Sequence, residues 1–132
     1  DLGVDVLLQS PFANKLEVLD LKNNDLSDKA VIALSRSVKL EQLVSLNLSK
    51  NNITDMGAKA LARSSSFGKL KKLDLNFNSI GDEGALAIAQ SQNFANLESL
   101  KLGQNKIGTE GAQALSKSKT LQNLIHPIFG FY

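Results

Sequence analysis

The sequence predicts an α/β solenoid: a curved stack with one parallel sheet on its concave side and helices on its convex side. Three observations predict it. First, the segments LEVLDLKNNDL from Leu16, LVSLNLSKNNI from Leu43, LKKLDLNFNSI from Leu70 and LESLKLGQNKI from Leu97 align without a gap, and successive starts differ by 27 residues (16, 43, 70, 97). Second, the leucines within each segment recur two apart, which is strand periodicity with one buried face. Third, each segment runs into an Ala-rich stretch whose apolar residues recur at three and four, which is helical periodicity. A supersecondary unit repeated in this way cannot bury its apolar face alone, so the units stack and contact only their neighbours.

Taken in order, DLGVDVLLQS falls in frame with the helical half of the next unit, since Gly3 lies opposite Ala30 and Leu7 opposite Leu34. Residues 1–15 are therefore a helical half-repeat, cut from a longer array, or an N-terminal cap; the cut is the preferred reading. Comparing FANKL with the later FANL places one extra residue before Leu16. Full repeats follow at 16–42, 43–69, 70–96 and 97–123, within one domain spanning 1–132. In the strand halves Leu19 and Leu21, Leu46 and Leu48, Leu73 and Leu75, and Leu100 and Leu102 point inward. In the helical halves VIALSRSVKL, GAKALARSSSF, GALAIAQSQNF and GAQALSKSKTL, Ser27 and Thr54 stand as N-caps. Asp28, Asp55 and Asp82 favour the start of their own helix through its dipole. Gly81 and Gly108 replace the capping hydroxyl in later repeats. Gly57, Gly84 and Gly111, with Ala33, Ala60, Ala87 and Ala114, let helix and strand backbones approach closely.

A strand followed by a helix, repeated identically, gives a parallel sheet with right-handed crossovers. Strands stack ~4.8 Å apart while helices need ~10 Å of width. The helical layer is longer, so the stack bends with the helices outside.

The pattern LxxLxLxxNx(L/I), followed by GDEGALAIA or DMGAKALA, resembles the leucine-rich repeat in its ribonuclease-inhibitor-like class, over nearly the whole chain. The resemblance implies a horseshoe segment whose concave face binds proteins. It also implies that Asn24, Asn51, Asn78 and Asn105 form a ladder that satisfies backbone groups at the strand-to-helix turn. An amide suits that place, because it carries both donors and an acceptor. The family includes intracellular immune sensors, activators of the small GTPase Ran, and bacterial effectors.

The last unit, 124–132, is an irregular edge strand or a C-terminal cap. Leu124 opens it in frame, but Pro127 stands where Leu100 would, and proline is confined to sheet edges. Ile125, Ile128 and Phe131 take outward frame positions held by Glu98, Lys101 and Gln104 in the previous repeat. Either they fold back as a cap, or they promote weak self-association through the array ends.

Fifteen basic and thirteen acidic residues leave a net charge of +2, which excludes nucleic acid and membrane as partners called by composition. Lys69, Lys71 and Lys72, with Arg63, form the densest basic cluster, read as a solvated face. There is no cysteine to serve as nucleophile, disulfide or thiolate ligand. His126 is the single histidine and is read as an ordinary tail residue. GQNKIGT lacks the lysine that a phosphate loop needs after its second glycine. No catalytic residue, metal or cofactor is expected, and the cytoplasm is the expected location.

The expected function is recognition of a protein partner through the concave strand face. Its candidate residues are Val18, Asp20, Lys22, Ser45, Asn47, Lys72, Asp74, Asn76, Phe77, Ser99 and Lys101, joined at the edge by Ile125 and Ile128. They vary between repeats while the core positions do not. Phe77 stands out because its counterparts are Asn23, Lys50 and Gln104. It is either an exposed hot spot or a ring folded over the neighbouring turn. Five strands at ~4.8 Å and about 12 Å of strand height give on the order of 250 Å² of strip, against ~800 Å² per partner in a standard interface. The strip is therefore only part of a binding site. Regulation of an enzyme, as by a small-GTPase activator, and a structural spacer in a larger protein are the alternatives.

Overall fold

A computed structural model describes residues 2–129. Among them, β1 (Val18–Asp20), β2 (Ser45–Asn47), β3 (Lys72–Asp74) and β4 (Ser99–Lys101) form one parallel sheet in chain order. Helices α1 (Leu2–Gln9), α2 (Asp28–Arg36), α3 (Asp55–Arg63), α4 (Asp82–Ala89) and α5 (Thr109–Ser116) alternate with them. The register keeps the sequence period: Leu19 pairs with Leu46, Leu46 with Leu73, and Leu73 with Leu100. Because each pair is separated by one whole repeat, every inward leucine lies beside its own counterpart.

The core follows from that register as stacked columns. Leu46, Leu73 and Leu100 from the strands meet Leu34, Leu61 and Ile88 from the helices, all fully buried. A turn of 3₁₀-helix links each α-helix to the next strand and adds a further column, in which Leu40, Phe67 and Phe94 are sealed from solvent. The first repeat places Ala13 in this column and leaves Phe12 67% exposed, with the Lys15 ammonium 5.9 Å from its ring centre. The expected extra residue before Leu16 is therefore not an insertion. Leu16 N–H reaches Ala13 O just as Leu43 N–H reaches Leu40 O, so the frame runs through unbroken. The phenylalanine has simply slipped one position out of the core.

Small polar side chains join the repeats laterally, and here the structure corrects the sequence reading. Asp55 lies in the first turn of its own helix but caps the next one: its Oδ1 accepts from Gly81 N–H at 2.7 Å and Gly84 N–H at 2.9 Å. Asp82 does the same for Gly108 and Gly111, and Asp28 for Thr54 and Gly57. The helices beginning after Gly81 and Gly108 thus receive a carboxylate cap from the preceding repeat. Ser27 makes no side-chain cap bond, whereas Thr54 accepts from Met56 N–H. At the opposite helix end Ser64, Ser91 and Ser118 donate their hydroxyls to Ser35, Ala62 and Ala89 carbonyls of the preceding helix.

The in-frame glycines exist for this carboxylate. A Cβ on Gly84 would lie 2.8 Å from Asp55 Oδ1, 2.7 Å from Ile80 Cγ2 and 3.0 Å from the Ala58 Cβ. The close approach is between neighbouring helices, not between helix and strand as the sequence alone suggests. Ala33, Ala60 and Ala87 are correspondingly only half-buried. Gly84→Ala is therefore expected to destabilise by up to ~2 kcal/mol, with overpacking of ~1–3 kcal/mol set against the ~1 kcal/mol gained in helix propensity. Thermal unfolding checks this, and a stabilised variant would contradict the cap geometry.

No fifth strand forms among the described residues, although the edge begins to pair. Ile125 N–H reaches Glu98 O at 2.8 Å, and Leu102 N–H reaches Ile128 O at 3.2 Å. Ile128 is half-buried against the core rather than outward on the sheet, which corrects its place in the binding strip. The expectation for Phe131 lies outside the described residues.

Candidate functional site

The turn after each strand positions the sheet's outward face. Asn78 is the pattern for it: the amide oxygen accepts from Ile53 N–H, and the amide nitrogen donates to Leu48, Leu75 and Asn76 carbonyls. Asn105 accepts from Ile80 N–H and donates to Leu75, Leu102 and Gly103 carbonyls. Asn51 accepts from Asn24 and Leu26 N–H and donates to Leu21, Leu48 and Ser49 carbonyls. Asn24 is exposed and donates to Lys22 O. The amides of Asn51, Asn78 and Asn105 thus tie their own turns to the turn before, whereas that of Asn24 stays within its own turn, which corrects the four-membered ladder to three. Buried turn carbonyls and N–H groups that have left the sheet find partners this way.

Just before this asparagine the chain turns left-handed, at Asn23, Lys50, Phe77 and Gln104, with φ of 56°, 57°, 58° and 55°. Asn tolerates that region, whereas a phenylalanine there is uncommon. Phe77 is 49% exposed, and the Lys50 ammonium sits 5.7 Å from its ring centre. The ring therefore lies against the neighbouring turn and remains half open to solvent.

Several candidate side chains are partly engaged at the strand ends. Asp20 accepts from Lys22 N–H, Asp74 from Asn76 N–H, and Asn47 from both the N–H and the hydroxyl of Ser49. The fourth repeat has Lys101 at this position, which cannot accept. Asn76 reaches across instead and takes Gly103 N–H at 2.7 Å. Asn76 is consequently fixed in the scaffold more than it is presented to solvent.

The remaining candidates separate by exposure. Val18, Lys22 and Lys72 are exposed, while Ser45 and Lys101 are half-buried. Ile125 is 69% exposed beyond the last strand. Ser99 is buried, and so contributes little surface of its own. Its neighbour across the edge is His126, one repeat on in frame. Ser45, Asn47, Lys72, Asp74, Ser99, Lys101 and His126 together line a shallow concavity of about 270 Å³ on the strand face. His126 is the member that sequence reading missed. The available signal was its frame position, 27 residues after Ser99, hidden by the proline that follows it. The concavity offers ammonium, carboxylate, hydroxyl, amide and imidazole groups side by side. Groups of this kind suit polar contacts.

A family model described as Leucine Rich repeat matches residues 13–35, 41–62, 69–89 and 95–116. Among solved structures the chain is similar to an internalin from Listeria monocytogenes str. 4b F2365, at 28% identity and a TM-score of 0.46. The similarity covers 83% of this chain and 36% of that one, so the chain spans little more than a third of that internalin. No curated protein matches the chain.

Proposed function

The chain belongs to the leucine-rich-repeat family, whose domains are protein-binding repeat scaffolds, and from that premise we propose that it recognises a protein partner through the strand face. The observation that carries this reading is the concavity where Lys72, Asp74, Lys101 and His126 converge from adjacent repeats. Backbone pairing fixes the strands beneath these side chains, and the asparagine turns fix their ends. The groups are thus held in place before a partner arrives, which lowers the ordering cost of binding. Charges of both signs within one small area favour a partner loop of complementary polarity over a uniform polyanion.

Charge reversal tests the reading. With a partner captured from the source organism, Lys72→Glu or Asp74→Lys is expected to weaken association about tenfold or more; Lys72→Glu leaves the melting temperature unchanged, while Asp74→Lys also gives up the bond from Asn76 N–H and lowers it slightly. Gln113→Glu, on the helix side, is expected to leave association intact. Sensitivity confined to Gln113 would move the site to the helices.

A further inference from the structure

Charge is unevenly distributed about the helix layer. The carboxylates Asp28, Asp55 and Asp82 all sit at helix N-termini, where the next repeat's N–H groups occupy them. The C-terminal ends of α2 and α3 carry Arg36 and Arg63, both exposed. These two arginines line one groove of about 380 Å³ between the helices, with Ile32 and Ala60 as part of its wall and Met56, 62% exposed, beside them. Neither arginine has a carboxylate partner: among the described residues the one ion pair is Lys59 with Glu83 at 3.0 Å, which ties α3 to α4.

Neighbouring cations on the same edge are also uncompensated. Lys39 donates to Leu8 O and Lys69 to Gln42 Oε1, both neutral oxygens. Glu41 is exposed nearby but forms no ion pair among the described residues.

We propose that this groove is a second interaction surface, distinct from the strand face, and that it takes an acidic peptide segment of a protein partner. Guanidinium groups match carboxylates in bidentate geometry. The apolar wall between them suits an aliphatic residue next to the acidic one. Nucleic acid fits less well, because no aromatic side chain lines the groove for a base to stack upon. The proposal does not depend on the strand-face reading.

Fluorescence anisotropy at low salt tests it, using a short labelled peptide of alternating glutamate and leucine, its glutamine counterpart, and single-stranded DNA of equal charge. The glutamate peptide is expected to bind and the glutamine peptide to bind at least about tenfold more weakly. R36E/R63E is expected to weaken glutamate-peptide binding about tenfold or more, and Lys72→Glu to leave it unchanged. The milder R36Q/R63Q, with its melting curve, separates lost binding from lost folding. Absence of binding, equal loss in Lys72→Glu, or DNA binding as tightly as the peptide would overturn the proposal.

Discussion

Leu73→Ala is expected to lower stability by ~2–5 kcal/mol, the largest effect of any single substitution considered for this chain. Leu73 is 1% exposed at the centre of β3, with Leu46 and Leu100 at the same height on either side. Backbone pairing to two neighbours prevents β3 from collapsing into the space left by the lost isobutyl group. The cavity therefore persists, and its cost adds to the lost transfer energy. Urea denaturation gives the answer as a shift in midpoint at constant slope. A midpoint equal to that of the parent would show that Leu73 does not face the core.

Asn78→Ala is expected to cost roughly 1–3 kcal/mol, although it removes little volume. The amide accepts from the buried Ile53 N–H at 3.1 Å and donates to three carbonyls, two of them in its own repeat and one, Leu48 O, in the repeat before. Alanine leaves the buried Ile53 N–H without its acceptor, while the three carbonyls each fall back on one remaining donor, from Asn51, Asn105 and the Lys50 N–H. Asn24→Ala is the internal control. Asn24 is exposed and donates to Lys22 O alone, so about 0.5 kcal/mol or less is expected there. Equal losses at the two positions would mean that the asparagines act locally, one turn at a time, and do not join repeats.

Much of the fold was legible because one number, the repeat length, fixes both register and core. Leucine columns follow from it without further information, and so do the helix positions. What could not be read is which repeat a polar side chain serves. Asp55 at the start of α3 looks like a dipole partner for its own helix, yet it caps α4. That outcome depends on the lateral distance between helices, which no local pattern encodes. The serines were opaque for the same reason: Ser91 reaches Ala62 O, a carbonyl of the helix before it.

The candidate site was legible in outline and wrong in detail where the frame and the packing diverge. Ser99 has the frame position of an outward residue but is buried next to the irregular last segment. Ile128 has the frame position of Lys101 but turns toward the core, where its apolar side chain loses contact with water. His126 reads as a tail residue in the sequence, and the pairing of Ile125 N–H with Glu98 O brings it to the strand face. At FANKL the match to FANL aligns Phe12 with Phe94 and so implies an extra residue, whereas the packing aligns Ala13 with Phe94 and leaves Phe12 outside.

The proposed strand-face site is independent of the groove proposed between α2 and α3. Site-specific photocrosslinking tests it most directly, with a photoreactive residue at position 72 in one sample and at position 113 in another, each exposed to extract from the source organism. A discrete crosslinked species is expected from position 72, suppressed by excess unlabelled chain but not by excess chain carrying Asp74→Lys, and no such species from position 113. The same saturable species from position 113 alone would contradict it.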